Sequence, residues 1–342
     1  MAYRDYQHFL EVLESKGELK RISHPISPYL EITEIADRVM KSDGPALLFE
    51  NVVGPPHRLG TPDPMSAVMG HDSIYSLPPL GESRRGGDSG AGGGEKMKYD
   101  YPLAINAMGS RKRMSMALSC DDFEEHAERI ASLLPPPIPK SPKEALSVAV
   151  DAFKQVKDTI SKKVSKGICQ EVVMQGDDVD LTKLPILTCW PEDGGPFITL
   201  PLVFTNDPNT GKRNVGMYRV QLFDKNTCGM HWQMHKTGMR HMEDAGEKGE
   251  KIQVAVVLGG DPAYTFSAIS PLPPGLDEMA FAGFLRRQNA ELVKCVTNDL
   301  YVPADAEIVI EGYVDPSERR LEGPFGDHTG YYSLAGDFPV LH

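Results

Sequence analysis

The sequence contains few cysteines, and their arrangement excludes two common structural devices. The five cysteines lie far apart, at positions 120, 169, 189, 228 and 295, and none of them forms a CxxC pair. A disulfide framework and a thiolate zinc site are therefore not expected. This pattern of cysteine use is typical of a protein that resides in the reducing cytoplasm.

Positive charge and long hydrophobic runs are also scarce. Lysine and arginine total 36 against 48 aspartates and glutamates, which gives a net charge of −12. This charge disfavours nucleic acid as a partner, because a broad phosphate-binding surface needs an excess of positive side chains. The longest aliphatic run covers only 254–258, and the N-terminus has no apolar signal segment. We therefore expect a soluble, untargeted protein.

The N-terminal third has the pattern of an α/β domain, within a chain whose 342 residues suffice for two or three domains. Apolar residues recur at helical spacing over 6–13 and 30–40, and a short apolar strand follows at 46–52. A glycine-rich stretch at about 57–98 has no hydrophobic period, and we interpret it as a mobile insertion. No strand leads into it and no Lys-Ser/Thr pair follows it, which disfavours a phosphate loop. We expect an N-terminal α/β domain over 1–120.

Two helices and then a series of short strands are predicted for the rest of the chain. Helices over 123–134 and from Ser141 to about Lys163 predict a helical linker at 121–165, interrupted by the proline run at 135–139. From Cys169 onward, short β-branched runs alternate with turns, beginning with EVVM at 171–174 and interrupted by one helix after Gly275. Such a series predicts a β-barrel or sandwich over 166–342, within an α+β chain.

Polar residues stand out in two of these runs. Asn214 precedes VGMYRVQ, and strand alternation would point its side chain away from that of Arg219 unless a bulge shifts the phase. His231 and His235 lie four apart in HWQMH and would share a face on a helix or a strand. A zincin motif requires a glutamate directly after the first histidine, and none follows His231. The ordinary interpretation is therefore one exposed and one hydrogen-bonded histidine.

Three acidic residues have ordinary explanations as well as functional ones. Glu278 lies in the first turn of a predicted helix, where a carboxylate is favoured by the unpaired N–H groups. Glu322 and Asp327 flank the turn in EGPFGD, and such a turn can hold two carboxylates with different pKa values. A solvated turn with two acids is the commoner explanation. Spacing and composition alone thus indicate only a metal site or an acid/base site.

Longer blocks of the sequence resemble the UbiD-type decarboxylases, a family that uses prenylated flavin mononucleotide (prenylated FMN). The resemblance is carried by LPILTCWPEDGGPFITLPLVFTNDP, NVGMYRVQL, HWQMHKTG, DPAYTFSAISPLPPGLDEMAFAGFLR, VTNDLYVPADAEIVIEGY and EGPFGDHTGYYS, which together cover nearly all of 180–342. It implies an α+β chain with a central split β-barrel of the FMN-binding type. It also implies that the chain ends at the start of a probable C-terminal domain. The glycine-rich stretch departs from the family pattern.

The resemblance also implies which residues bind the cofactor. A divalent metal, Mn²⁺ or Mg²⁺, would be held against the cofactor phosphate by Asn214, His235 and Glu278, a ligand set suited to a hard cation. K⁺ would lie near the carbonyl oxygens from Ala268 to Ser270. The full implied cofactor-binding set is Asn214, Thr199, Arg219, Met234, His235, Ala268, Ser270, Pro271 and Glu278.

The catalytic residues implied by the resemblance are Arg219, Glu322 and Asp327. Arg219 would bind the substrate carboxylate, Glu322 would orient Arg219, and Asp327 would protonate the carbon that loses CO₂. Several family members have glutamate where this chain has Asp327, which shortens the reach by one methylene.

The implied reaction is reversible, non-oxidative decarboxylation of an aromatic or α,β-unsaturated acid. The branch that this chain resembles most acts on 4-hydroxy-3-polyprenylbenzoate in ubiquinone biosynthesis. The alternatives are a phenolic or heteroaromatic acid decarboxylase, a truncated non-catalytic cofactor-binding or assembly module, and an FMN reductase on a split barrel. The implied partners are a flavin prenyltransferase as cofactor source and further copies of the chain. A prenylated substrate would also imply peripheral membrane contact.

Overall fold

The structure is a computed structural model that describes residues 2–54, 97–132, 156–273 and 275–342, together with positions 141, 143, 144, 148 and 150. Nearly all of the predicted glycine-rich insertion therefore lies outside the described residues, as does most of the helix predicted from Ser141. None of the helices in the described ranges is long and apolar enough to cross a membrane. The domain boundaries expected at 120 and 165 stay predictions.

The N-terminal part is a small mixed sheet covered by helices. Strand β1 pairs in parallel with β2, which pairs antiparallel with β5. Asp5 caps α1 by accepting a hydrogen bond from the backbone N–H of His8 (2.7 Å), and Phe9 and Leu13 on that helix are fully buried. The helices and the strand predicted here are confirmed. The elements are α1 (Tyr6–Ser15), β1 (Leu19–Ile22), α2 (Glu31–Lys41), β2 (Ala46–Phe49), β3 (Val53–Gly54), β4 (Met97–Lys98) and β5 (Leu103–Ile105).

The middle of the chain corrects two predictions. Helices α3 (Arg111–Ala117) and α4 (Phe123–Ala131) are followed, beyond the undescribed residues, by a 3₁₀ turn and by β6 (Lys162–Val164). The helix predicted to about Lys163 is therefore wrong at its end, because β6 pairs in parallel with the distant β13 (Glu291–Lys294). The run EVVM at 171–174 forms no strand, and Val172 is 74% exposed. Without a neighbouring strand, β-branched residues alone do not produce one.

An eight-stranded sheet dominates the C-terminal half and confirms the α+β class. Its strands lie in the order β7-β10-β11-β18-β15-β12-β8-β9. The edge strands β7 and β9 do not pair with each other in the part of the chain that the structure describes. A closed barrel is therefore not shown. The strands of the sheet are β7 (Phe197–Ile198), β8 (Leu202–Asn206), β9 (Arg213–Met217), β10 (Val220–Leu222), β11 (Cys228–Met230), β12 (Ile252–Leu258), β15 (Ile308–Glu322) and β18 (Gly336–Leu341).

The connection from β9 to β10 brings the two ends of this sheet close together. Strand β9 lies at one edge, and β10 lies next to the strand at the opposite edge. Only Tyr218 and Arg219 separate the two strands, so the chain spans the gap in about 10 Å. Arg219 therefore lies where the sheet nearly meets itself. Two short antiparallel pairs complete the strand set: β13 with β14 (Tyr301–Pro303), and β16 (Phe325–Gly326) with β17 (Tyr332–Ser333).

Three helices accompany the sheet where the sequence predicted one. They are α5 (Thr237–Glu247), α6 (Pro262–Ile269) and α7 (Glu278–Arg286). The GGDP turn predicted at 259–262 is in part a helix start, because Asp261 caps α6 and Pro262 occupies its first turn. Helix α5 was missed because it contains few apolar residues and two glycines. One of these, Gly238, packs against Trp232 so closely that a Cβ atom would lie 2.9 Å from the indole.

Candidate active site

A buried ion pair joins Arg219 to Glu322, the last residue of β15. Arg219 donates from Nε to Glu322 Oε1 (2.8 Å) and from Nη2 to Oε2 (3.1 Å). His231 Nδ1 lies 3.0 Å from the same Oε2 atom. The side chain of Glu322 is fully buried, and those of Arg219 and His231 are 11% and 15% exposed. Both oxygens of this carboxylate therefore have partners within the protein.

The environment keeps Glu322 ionised. Burial raises the pKa of this carboxyl, but the hydrogen bonds and charges of His231 and Arg219 outweigh burial, so its pKa lies below the ordinary value. An ionised carboxylate only accepts hydrogen bonds, so Nδ1 of His231 carries the proton in this contact. Glu322 is consequently suited to hold the guanidinium of Arg219 in place rather than to deliver a proton.

Aromatic rings line the other side of Arg219. Its guanidinium carbon lies 4.6 Å from the ring centroid of Phe325, and that ring packs against Phe197 with centroids 4.7 Å apart. The two bonds to Glu322 use Nε and Nη2, so neither involves Nη1. The arginine can therefore bind a second anion at its Nη1 edge without releasing Glu322.

Buried hydrogen bonds set the conformation of the turn after Glu322. Gly323 donates its N–H to Gln221 Oε1 (2.7 Å), Gln221 Nε2 donates to the carbonyl of Gly194 (2.9 Å), and Gly194 N–H donates to the carbonyl of Pro324 (2.8 Å). A Cβ atom on Gly194 would lie 2.1 Å from the oxygen of Gly323, so this close approach requires glycine. The loop before β7 thus positions the EGPFGD turn.

Asp327 lies on that turn, outside the ion pair. It accepts a hydrogen bond from the N–H of His328 (2.7 Å) and lies 2.5 Å from that ring's Nδ1, and its side chain is 43% exposed. Burial raises its pKa, but the hydrogen bonds and charge of His328 and the charge of Arg219 outweigh this and leave the pKa lowered. The structure therefore places Asp327 within reach of the charge of Arg219 but records no hydrogen bond from it to Arg219 or Glu322.

A second, partly buried carboxylate, Glu278, lies at the start of α7 against β9. Its Oε2 accepts a hydrogen bond from the backbone N–H of Val215 (3.1 Å). On the same strand, Arg213 Nη2 binds both carboxylate oxygens of Asp277, the N-cap of α7, at 2.8 and 2.7 Å. Burial raises the pKa of Glu278, and the backbone hydrogen bonds only partly offset this. These contacts hold the N-terminus of α7 next to Asn214.

Asn214 lies on β9 between Arg213 and Val215. Its buried Nδ2 makes no hydrogen bond of ordinary geometry among the described residues, although its side chain interacts with the Tyr218 hydroxyl. The amide nitrogen is a donor and suits a phosphate oxygen, whereas the amide oxygen of Asn214 and the carboxylate of Glu278 are ligand types that a hard cation takes. His235 lies in the exposed turn before α5, and the structure records no hydrogen bond between it and Asn214 or Glu278. The described residues contain no cluster of three or more His, Cys, Asp or Glu side chains that could hold a metal. The structure thus places two of the three expected ligands on adjoining elements, Asn214 on β9 and Glu278 at the start of α7.

The remaining predicted cofactor residues lie at the C-terminus of α6 and in exposed turns. Ser270 caps α6 and donates its hydroxyl to the carbonyl of Phe266 (2.8 Å). Ala268 is partly buried against the core, Pro271 is exposed, and Met234 is 76% exposed. The carbonyl end of a helix carries partial negative charge, which suits the expected K⁺.

A cavity of about 740 Å³ lies between the N-terminal sheet and the large sheet, a size suited to a cofactor. Of the predicted site residues, only Thr199 lines it. Phe266 and Ile269 bring the C-terminal part of α6 to its wall, and Met217 brings the end of β9. The cavity thus borders the strand that carries Asn214.

Comparisons with known proteins identify the family of the chain. Residues 162–342, more than half of the chain, match the family domain described as 3-octaprenyl-4-hydroxybenzoate carboxy-lyase Rift-related domain, abbreviated UbiD. The chain belongs to the UbiD family. Residues 10–73 match the N-terminal domain of the same carboxy-lyases. An uncharacterized protein of Archaeoglobus fulgidus is 44% identical over 343 residues, which cover all of this UbiD chain and 61% of that protein.

Solved structures of UbiD-class enzymes have the same fold. An evolved dimeric form of HmfF from Pelotomaculum thermopropionicum, in complex with prenylated FMN, has a TM-score of 0.73 and 27% identity over 98% of this chain and 63% of its own. The vanillic acid decarboxylase of Sedimentibacter hydroxybenzoicus in its open form has a TM-score of 0.71 and 26% identity over 100% of this chain and 61% of its own. The UbiD chain described here spans about three-fifths of the length of these relatives.

Two residues of the site were not assigned to it from the sequence. His231 was expected to be an ordinary exposed or hydrogen-bonded histidine, and Gln221 was not singled out. The spacing of HWQMH drew attention to the histidine pair, but the contact of His231 with Glu322 joins residues 91 positions apart. Only the register of β11, β18 and β15 in the sheet brings these residues together.

Proposed function

We propose that the chain binds prenylated FMN and carries the acid/base group of a non-oxidative decarboxylase for aromatic or α,β-unsaturated carboxylic acids. The observation that carries the proposal is the buried pair of Arg219 and Glu322, stacked on Phe325 with its Nη1 edge available to an anion. Such an arrangement suits a planar carboxylic acid, whose carboxylate pairs with arginine and whose ring packs on aromatic side chains. We also propose that the large sheet is a split barrel of the FMN-binding type.

Asn214 and Glu278 fit a divalent cation, and we include His235 as the third ligand of Mn²⁺ or Mg²⁺ at the cofactor phosphate. The carbonyl groups at the end of α6 are the proposed K⁺ site. When bound, prenylated FMN supplies an electron sink for the carbanion that the loss of CO₂ would leave on an sp² carbon. No side chain can delocalise that charge.

The chain's own residues then have distinct tasks. Arg219 binds and orients the substrate carboxylate, and Glu322 holds the guanidinium plane. As the bond to the carboxyl carbon breaks, its electron pair stays on the substrate carbon, and a proton from Asp327 replaces CO₂ there. The lowered pKa of Asp327 means that it first has to take up a proton, which the negative charge of a bound substrate carboxylate favours.

The substrate that we propose is 4-hydroxy-3-polyprenylbenzoate, in ubiquinone biosynthesis. A phenolic or heteroaromatic acid without the prenyl tail is the alternative, supported by the likeness to a vanillic acid decarboxylase. A panel of acids with and without the tail distinguishes the two. Activity on the prenylated acid alone supports the first proposal, and activity on vanillate or furoate overturns it.

The test of the activity is anaerobic purification with a co-expressed flavin prenyltransferase, followed by an absorbance spectrum, metal analysis and the acid panel. We expect a flavin spectrum, one metal ion per flavin and release of CO₂ from at least one acid. The matched control is Asp327→Asn, which should retain the flavin and lose turnover. A flavin-loaded protein that converts no acid would indicate a cofactor-binding module, and oxidation of a reduced nicotinamide would indicate a reductase.

We further propose that the protein forms homo-oligomers in the cytoplasm, where its five free cysteines stay reduced. The acidic net charge is consistent with the absence of a nucleic-acid partner. Size measurement by light scattering tests the oligomer, and a vesicle-flotation assay with the prenylated acid tests membrane contact. A monomer at micromolar concentration would contradict the first of these proposals.

A further inference from the structure

We propose that His231 is a positioning residue of the active site, which acts on the substrate carboxylate only through Glu322 and Arg219. The inference rests on the proposed function, because it takes Arg219 as the group that binds that carboxylate. Three independent contacts of His231 support it, one with each member of the ion pair and one with an aromatic ring.

The side chain of His231 completes the hydrogen bonding of Glu322. Oε1 of this carboxylate has one arginine donor, whereas Oε2 receives both Arg219 Nη2 (3.1 Å) and His231 Nδ1 (3.0 Å). Two donors from different elements on one oxygen fix the plane of the carboxylate, and that plane sets the direction of the guanidinium group. His231 thereby determines where Nη1 of Arg219 points.

The backbone and the ring of His231 are themselves held in place. Its N–H donates to the carbonyl of Arg219 (3.3 Å), so the histidine and the arginine are joined through the main chain as well as through Glu322. The imidazole packs on Phe338 of β18, with ring centroids 4.4 Å apart. Gly229 of β11 lets Glu322 pack closely beside this strand, since a Cβ atom on Gly229 would lie 3.2 Å from Cγ of Glu322. The histidine is therefore a rigid donor rather than a mobile one.

Loss of the hydrogen bond from His231 would change the ionisation of Glu322 as well as the orientation of Arg219. The charged groups that face Glu322 are Arg219, from the connection between β9 and β10, and His231, from the end of β11. Asp193 and Asp327, on the flanking turns, face Arg219. Without the hydrogen bond from His231, the pKa of Glu322 rises, so protonation would weaken its hold on Arg219 at a higher pH than in the parent protein.

The experiment compares His231→Leu with His231→Asn in the cofactor-loaded protein. Leucine removes the donor, whereas the asparagine amide can donate from nearly the same position as Nδ1. We expect His231→Leu to lower turnover and benzoate affinity about 10-fold or more and to move the acid limb of the pH–rate profile to higher pH. His231→Asn should restore most of both.

The control is His342→Leu, which removes a similar histidine–glutamate contact (2.6 Å to Glu318) away from the site and should leave turnover unchanged. A double-mutant cycle with Glu322→Gln, using benzoate affinity as the readout, separates the roles. We expect His231→Leu to have less than about a twofold effect in the Glu322→Gln background. An undiminished effect there would overturn the inference, because His231 would then act independently of Glu322.

The failures of this inference and of the proposed function are distinguishable. If Glu322→Gln reduces turnover strongly while His231→Leu is equal to the parent protein in affinity and pH profile, the positioning role is wrong and the decarboxylase site stands. If Arg219→Gln and Glu322→Gln both leave turnover intact, the proposed function fails. A variant of His231 that loses stability but keeps the parent pH profile would also overturn the positioning role.

Discussion

Glu322 is a fully buried carboxylate and Glu278 a partly buried one in the same half of the molecule, and their surroundings move their pKa values in opposite directions. Glu322 has an arginine and a histidine as partners, and its pKa is lowered. Glu278 has backbone N–H groups as its hydrogen-bond donors, and its pKa is raised by burial. The charge of Glu322 is thus compensated by neighbouring side chains, whereas that of Glu278 is compensated only in part by the described residues, which agrees with the metal site proposed there.

The neighbours of the two residues explain this difference. The guanidinium of Arg219 faces Glu322 directly, so the charge of that carboxylate is compensated within the protein. The nearest arginine to Glu278 on β9, Arg213, is already bound to both oxygens of Asp277. The amide nitrogen of Asn214, beside the Tyr218 hydroxyl, makes no hydrogen bond of ordinary geometry among the described residues. A bound cation would compensate the carboxylate.

The largest expected effect comes from breaking the complete site. Glu322→Leu leaves the guanidinium of Arg219 buried without a counter-charge, so we expect the free energy of unfolding to fall by about 3 to 5 kcal/mol. The matched variant Glu278→Leu, made in the metal-free protein, should change it by less than about 1 kcal/mol. Urea unfolding of both variants measures the contrast. Equal losses would contradict the view that only one of the two sites is complete without a ligand.

Asp327→Asn tests the part of the complete site that lies outside the ion pair. The amide is nearly isosteric but cannot donate a carboxylic proton, so turnover should fall by about two to four orders of magnitude while the cofactor stays bound. Deuterium exchange at the product carbon in heavy water should be lost in parallel, because it needs the same proton transfer. An exchange rate equal to that of the parent protein would move the acid to another residue, with Glu322 the first candidate.

Glu278→Gln tests the incomplete site. Metal at 100 times its dissociation constant should stabilise the parent protein by about 2.7 kcal/mol and the variant by much less. Manganese and flavin should be lost together, because the metal would join the cofactor phosphate to the protein. Metal analysis, the flavin spectrum and thermal melting with added Mn²⁺ provide the readouts. Full occupancy of both ligands in the variant would show that Glu278 is not a metal ligand.

The smallest expected effects are pH dependences of opposite sign. The lowered pKa of Glu322 contributes stability above the unfolded value of about 4.3, and this is lost as the pH falls through the folded-state pKa. The raised pKa of Glu278 costs stability above its folded-state pKa, and this cost disappears as the pH falls toward about 4.3.

Melting curves of the metal-free protein between pH 3 and 8 test these signs. Glu322→Gln should be destabilised most at neutral pH, and Glu278→Gln should be stabilised there, with both differences shrinking in acid. Asn209→Ala, at an exposed turn away from both carboxylates, is the control that should show no such trend. If both glutamine variants change stability in the same direction at neutral pH, the contrast between the two sites fails.

Local patterns predicted the elements whose stability is local. Helix α2 and the β12 run follow directly from apolar periodicity, and β15 from its β-branched residues. By contrast, β6 was predicted as helix because its strand state depends on pairing with residues about 130 positions away. Helices α5 and α6 were missed, since α5 contains two glycines and few apolar residues and α6 begins within a predicted turn.

The candidate site divides in the same way. The alternation over 214–219 predicted that Asn214 and Arg219 point apart, and the structure places them in different sites. The resemblance to a family, rather than any spacing, supplied the pairing of Arg219 with Glu322 and the roles of Asp327 and His235. The pairing is present in the structure, and those roles stay predictions. The contribution of His231 to Glu322 was not predicted at all.

The sequence by itself determined the α+β class, the acidic character of the chain, its family and the residue types available for chemistry. Only the tertiary structure decided which carboxylate is paired, which is left short of a partner, and which histidine reaches the ion pair. These outcomes depend on contacts between residues about 60 to 100 positions apart. The register of the large sheet and the two-residue crossing at Tyr218 and Arg219 set such contacts, and no local spacing encodes either of them.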